Sequence, residues 1–139
     1  MKFQKLNSTG TINVSLDKYL IDWDHVVSKP QKKVKDFVFT FWKTDVVLEE
    51  FMIPGSRLRI DLLNISKKIA IEVSPNSTHK NFNPFMHGSR ASGYLKTFKS
   101  DIQKKEWIKS SGFGYVKLTD LELKTLDRDS IEKQFNITL

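Results

Sequence analysis

Two stretches decide how this chain folds: Arg57-Leu58-Arg59-Ile60-Asp61-Leu62 and Ile69-Ala70-Ile71-Glu72-Val73-Ser74. In an extended strand, successive side chains point to opposite faces. Strict alternation puts Leu58, Ile60 and Leu62 on one face of the first strand and Arg59 and Asp61 on the other. In the second strand it puts Ile69, Ile71 and Val73 on one face and Ala70, Glu72 and Ser74 on the other. A hairpin turning at Ser66-Lys67 would set Ile65 opposite Lys68, Leu63 opposite Ala70, and Asp61 opposite Glu72. Directly opposed residues have Cβ atoms about 5 Å apart. Two carboxylates at that spacing repel each other and oppose pairing unless something compensates. A divalent cation compensates directly, because oxygen ligands on two strands can share Mg²⁺. The plain alternative is that each carboxylate pairs with a basic neighbour such as Arg57, Arg59 or Lys68.

Working outward, residues 46–52 are β-rich, and Pro54-Gly55 is turn chemistry. A third strand therefore precedes the pair, and a meander would bring Glu50 toward Asp61; a solvated Glu49-Glu50 pair is the alternative. Further upstream, Ser28-Lys29-Pro30-Gln31 resembles a capping box with Pro in the first turn. Val34, Phe37, Val38, Phe41 and Trp42 follow at helical spacing, so the pattern predicts a helix over 30–43 with one buried face. Downstream, residues 74–90 are rich in Pro, Asn, Ser, His and Gly and read as a loop. A loop of that length in a compact domain is usually functional or mobile. A second helix is expected over 91–110, with an apolar face of Tyr94, Leu95, Phe98, Ile102 and Trp107 or Ile108, ending at Gly112 to Gly114. A short strand over 115–118 and one closing amphipathic helix over 120–135 complete the pattern. The order helix, three strands, helix, strand, helix predicts an α/β domain with the strands in a central layer. Residues 1–29 are irregular apart from alternation over 12–16. They read as an arm lying over the core or touching a partner such as DNA, with 30–139 as the core domain.

The chain has 139 residues, enough for one domain with one core. Its net charge is +7, which favours a polyanionic partner, nucleic acid first. A merely soluble basic protein is the alternative. It contains no cysteine, which excludes disulfides, thiolate catalysis and cysteine-type zinc sites. No apolar run approaches the roughly 18 residues of a transmembrane helix, and residues 1–10 lack an apolar signal-peptide core. The expectation is an intracellular, soluble protein.

His79 follows the Glu72 strand in the long loop. A neutral imidazole beside a metal can take a proton from water. Asp101, on the second helix, is placed to hold that ring in one tautomer, as acidic partners do in catalytic triads. A lone histidine in a polar loop is more often simply solvated. Arg90, Lys96, Lys99, Lys104, Lys105 and Lys109 give the second helix a basic character suited to phosphate contacts; a solvated lysine face is the alternative. Arg57, Arg59, Lys80, Arg90, Lys96 and Lys99 are the candidate DNA contacts.

Taken together, these residues resemble the very-short-patch-repair-like branch of the PD-(D/E)XK nuclease superfamily. Within it, the closest likeness is to small phage homing endonucleases with an EDxHD-type active site. The resemblance rests on Glu49-Glu50-Phe51 with Ile53-Pro54-Gly55-Ser56-Arg57-Leu58-Arg59-Ile60-Asp61, on Lys67-Lys68-Ile69-Ala70-Ile71-Glu72-Val73, and on His79 through Phe98-Lys99-Ser100-Asp101-Ile102. It implies a restriction-endonuclease-like core in which a mixed sheet is flanked by helices. It also implies Mg²⁺- or Mn²⁺-dependent hydrolysis of phosphodiester bonds in double-stranded DNA, and the host cytoplasm if the chain is phage-encoded. By the same likeness, Asp61 ligates metal together with the Val73 main-chain carbonyl and Glu72. His79 is the general base, Asp101 orients it, and Glu50 is the first acid of the signature. One departure matters: the position two after Glu72 is Ser74, where the superfamily usually has lysine. In this branch histidine takes over proton chemistry, so the loss fits the branch while demoting Glu72 to an accessory. The zinc site of the repair enzymes needs cysteines, which argues against a mismatch-repair enzyme proper. A single small domain carries one active site, so cutting both strands needs a homodimer on DNA or two successive events. Other readings are a non-catalytic DNA-binding module and a nuclease selective for branched DNA or RNA.

Overall fold

The computed structural model describes residues 1–75 and 91–139, with positions 91–94 and 97 described by their backbone alone. A short hairpin of β1 (Lys2–Gln4) and β2 (Thr11–Asn13) and a 3-10 turn at Asp17–Tyr19 lead into helix α1 (Lys29–Trp42). Strands β3 (Val47–Met52), β4 (Arg59–Asn64) and β5 (Ile69–Ser74) follow, then helix α2 (Ala91–Ser110), strand β6 (Gly114–Thr119), and helices α3 (Asp120–Lys124) and α4 (Arg128–Phe135). Strands β3 to β6 form one mixed sheet in the order β3-β4-β5-β6. The first two pairings are antiparallel and the β5–β6 pairing is parallel. A parallel pair needs a crossover connection, and α2 lies on it.

The hairpin register is the one alternation and turn position predict: Leu62 opposes Ile71, Leu63 opposes Ala70, and Asn64 opposes Ile69. A polar lock at the turn holds it. Asn64 Oδ1 accepts from the Lys67 amide at 2.7 Å, Asn64 Nδ2 donates to Asp45 Oδ2 at 2.9 Å, and Lys67 pairs with the same carboxylate. Lys68 closes the turn with a φ of 57°.

Two cores lie on opposite faces of the sheet. One gathers Val34, Val38 and Trp42 of α1 with Leu62, Ile69, Ile71, Val116 and Leu118 and with Leu123 and Ile131 of the closing helices. The other gathers Phe3, Leu48, Phe51, Ile53, Ile60, Leu63 and Ala70 with Trp107 and Ile108 of α2. Here simple alternation fails. Ile60 and Leu62, expected on one face, sit in different cores, while Val47 and Phe51 do the same in β3. The face slips at Glu50, whose φ of 53° is the left-handed region, and at Asp61, which lies across from it between the Glu49–Leu62 and Phe51–Ile60 pairs. A residue in that region kinks and twists its strand in the manner of a bulge.

Helix α1 starts as predicted, with the Ser28 hydroxyl accepting from the Gln31 amide at 3.3 Å and Pro30 in the first turn. Its buried face also carries Gln31 and Lys35, which the apolar pattern did not include. Residues read as an arm are docked on the core: Phe3 is buried, Trp107 Nε1 donates to the Gln4 carbonyl at 2.7 Å, and the Leu6 amide donates to the Pro54 carbonyl at 2.8 Å.

Two further expectations are corrected. The closing helix is two helices, because each half has its own cap: Thr119 and Glu122 form a capping box on α3, and Asp127 accepts from the Ser130 amide at 3.0 Å on α4. Helix α2 has the predicted span, yet Leu95, Phe98 and Ile102 are 63, 52 and 44% exposed; only Trp107 and Ile108 at its C-terminal end are buried among its described hydrophobic side chains. At about 3.6 residues per turn these three fall on a different face of the helix from the buried Ile108, and that face is open. Among the described residues, no helix is long and apolar enough to cross a membrane.

Candidate active site

The β4–β5 ladder ends at the Leu62–Ile71 pair. One residue further, Asp61 Oδ2 accepts from the Val73 amide at 2.7 Å. The side chain takes the place of a ladder carbonyl, and this fixes Asp61 between the parting strands. Glu72, next to Val73 on β5, projects to the α2 side of the sheet. Residues from two further elements complete a cleft of about 250 Å³ over these two acids: Asp101 and Lys104 from α2, and Tyr115 and Lys117 from β6. Val73 and Ser74 form its wall at the end of β5.

The electrostatics are those of crowded, dry carboxyls. Burial, followed by repulsion from Asp61, pushes Glu72 up to about 9. Burial also raises Asp61, against the opposing pull of the Val73 amide. Tyr115 is raised to about 12, by burial first and then by Glu72, Asp101 and Asp61. The nearest cation is Lys104, whose Nζ lies 3.4 Å from Glu72 Oε1. Even so, Glu72 Oε1 is buried and accepts no hydrogen bond.

That weakly served oxygen, beside a second carboxylate, is what a hard divalent cation would satisfy. Among the described residues no three His, Asp or Glu side chains group as a metal shell. A cation here would take Asp61 and Glu72 as its side-chain ligands and complete its sphere with main-chain oxygen and water. Mg²⁺ is suited to this, because it keeps several waters and uses one or two carboxylates. The donor set therefore fits Mg²⁺ or Mn²⁺.

The other sequence-named residues divide clearly. Asp101 is in the cleft. Glu50 stands close enough to Asp61 for its carboxyl to be raised, by burial first and by Asp61 next, but it does not line the cleft; Gln31 Nε2 donates to it at 3.4 Å. Arg57, Arg59, Lys96 and Lys99 are exposed. His79, Lys80 and Arg90 lie outside the described residues.

Sequence reasoning did not place Lys104, Tyr115 or Lys117 in the site. Lys104 was one lysine among many on α2. Tyr115 and Lys117 share one face of β6, as alternation implies, but the parallel register that sets Lys117 opposite Glu72 has no local signal. These residues also bear on the lysine missing at Ser74: two other ammonium groups, from α2 and β6, reach the same cleft. No family model, curated protein or solved structure matches this chain.

Proposed function

We propose that the protein is a metal-dependent DNA endonuclease, with a restriction-endonuclease-like PD-(D/E)XK core and a very-short-patch-repair-like active site of the phage homing type. The observation that carries this reading is the convergence of Asp61 and Glu72 at the parting of β4 and β5, where the buried Glu72 Oε1 accepts no hydrogen bond and has only a 3.4 Å ion-pair contact with Lys104. Mg²⁺ or Mn²⁺ bound there would polarise a phosphoryl oxygen and stabilise the leaving oxygen. Asp61 would be the main ligand, held by the Val73 amide, with Glu72 accessory to it. Lys104 and Lys117 would counter the charge of the phosphate in that cleft. His79 would take the proton of the attacking water, oriented by Asp101.

The test is cleavage of supercoiled plasmid with Mg²⁺, with and without EDTA. Wild-type protein should nick or linearise it only with free metal. Asp61→Ala and His79→Ala should each abolish cleavage, a loss of at least about a thousandfold if each group acts in the transition state, while DNA binding stays largely intact. Full activity in the Asp61→Ala protein overturns the assignment.

One observation favours a second reading. The Lys104–Glu72 ion pair is what a non-catalytic DNA-binding module would use to neutralise a vestigial acid. Duplex binding without nicking at any divalent metal concentration would decide for that reading.

A further inference from the structure

We propose that a second cleft, formed by Lys29 and Lys33 of α1 and Lys124 of α3, is a phosphate-backbone track for double-stranded DNA. It has a volume of about 540 Å³ and is also lined by Pro30, Pro75, Leu123 and Asp120. The inference deepens the nucleic-acid part of the function proposed above and is independent of the cleavage chemistry.

Position is the first argument. Val73 and Ser74 form a wall of the acidic cleft, and the next residue, Pro75, lines the basic one. On the neighbouring strand, Lys117 faces the first cleft and Asp120, at the start of α3, the second. The two clefts thus open on opposite sides of the same strand ends, one over each face of the sheet.

Charge is the second argument. Three ammonium groups face one carboxylate, that of Asp120. All three lysines are exposed, and Lys33 donates to the Leu123 carbonyl. Lys29 and Lys33 are one helical turn apart, a spacing at which like charges destabilise a helix. They also occupy the first turns of α1, where the helix dipole favours anions, and the first turn contains no acid. A local arrangement that opposes helix stability is expected where a ligand compensates it. A polyanion that lays one phosphate after another along the cleft supplies that compensation. The open, proline-walled form suits a backbone better than a single small anion. Lysine contacts of this kind position DNA without reading its sequence.

The experiment is duplex binding by fluorescence anisotropy in EDTA, over a range of salt. Replacing all three lysines (Lys29→Gln, Lys33→Gln, Lys124→Gln) should weaken binding roughly tenfold or more near ~0.1 M salt and reduce the log–log salt slope by about 0.9 for each phosphate that is no longer neutralised. A matched triple at exposed positions that do not line the cleft (Lys2→Gln, Lys18→Gln, Lys43→Gln) controls for net charge and should leave the slope near wild type. The triple Lys-to-Arg protein should keep the slope, and circular dichroism melts establish that each protein is folded. Equal effects from the two Gln triples overturn the proposal, as does wild-type protein that binds single strands or RNA but not duplex. Wild-type protein that binds with this slope yet never nicks sinks the nuclease reading alone. Protein that nicks while the cleft triple behaves as the control sinks the track alone.

Discussion

At the scale of single residues, Glu72 is the most consequential side chain in the molecule. Its ordinary value of 4.5 rises to about 9, through burial first and Asp61 second. Between those two values the native protein holds a proton that the unfolded chain has released. Stability must therefore fall as pH rises from about 4.5 to about 9 in the absence of metal. Glutamine keeps the shape of the protonated side chain and cannot ionise. The Glu72→Gln protein should match wild type near pH 4.5 and exceed it by a margin that widens up to pH 9. Urea unfolding with EDTA across that range measures the difference, and parallel stability–pH curves would refute the assigned environment. The Lys104 ion pair works in the opposite direction, favouring the ionised acid, but its 3.4 Å contact has not offset burial. Asp61 is better served, since the Val73 amide donates directly to it. That difference is the physical ground for treating Asp61 as the principal acid and Glu72 as its accessory.

At the scale of elements, α1 and β3 are joined by a buried polar knot that sets where Glu50 stands. Lys35 is completely buried, and its ammonium donates to the Asp22 and His25 carbonyls at 2.6 and 2.7 Å and to Glu49 Oε1 at 2.9 Å. Gln31 Nε2 donates to Glu49 Oε2 at 2.9 Å and reaches Glu50. Removing one member leaves the other charge buried and unpaired, which costs about 3–5 kcal/mol. Lys35→Ala should lose that much in chemical denaturation, whereas the double replacement Lys35→Met with Glu49→Leu should recover most of it. A loss below about 1 kcal/mol in the single variant would show the pair to be effectively solvated. The knot also marks the limit of what the sequence could reveal. Ser28 with Pro30 announced the start of α1, and the apolar alternation of 69–73 with the turn at 65–68 announced the hairpin register and so brought Asp61 near Glu72, although the ladder ends at Leu62–Ile71 and the two acids do not form a ladder pair. Those signals are local. The slip of face at Glu50 was not legible, because a left-handed φ at a glutamate leaves no mark in composition. The burial of Lys35 had no signal either, because two of its three partners are main-chain carbonyls. Leu95, Phe98 and Ile102 looked like core because helical spacing shows that residues share a face, not which face of the helix meets the sheet. Lys104 and Lys117 enter the site through a parallel crossover, a pairing between distant segments that no window of sequence contains.

At the scale of the whole molecule, the proposed metal site would couple metal, protons and fold, and that coupling yields the last prediction. The proposed cation site sits where two antiparallel strands part, so a cation bound there would join β4 to β5 beyond the last ladder pair. The unfolded chain has no such site, and binding must stabilise the fold by mass action. At a free metal concentration one hundred times Kd, the gain is about 2.7 kcal/mol, a rise in Tm of roughly 5–10 °C for a domain of this size. Ligation by Glu72 requires its carboxylate, so each bound cation displaces the proton that burial keeps there. Affinity for Mn²⁺ should therefore climb with pH, by up to about tenfold per unit, from neutral pH until the value near 9 is passed. Thermal shift and titration calorimetry in two buffers of different ionisation enthalpy read both consequences, the stabilisation and the proton released. The Asp61→Asn protein should show no shift at any pH. The Glu72→Gln protein should retain a weaker shift that no longer depends on pH in this range, because its accessory ligand carries no proton to lose. An equal, pH-dependent shift in the Asp61→Asn protein would place the cation elsewhere and separate the metal from the strand junction. A single acidic cleft among the described residues adds a kinetic corollary of the nuclease proposal: nicking should be first order in protein, and linearisation in a single encounter should appear only at concentrations where two chains occupy one duplex.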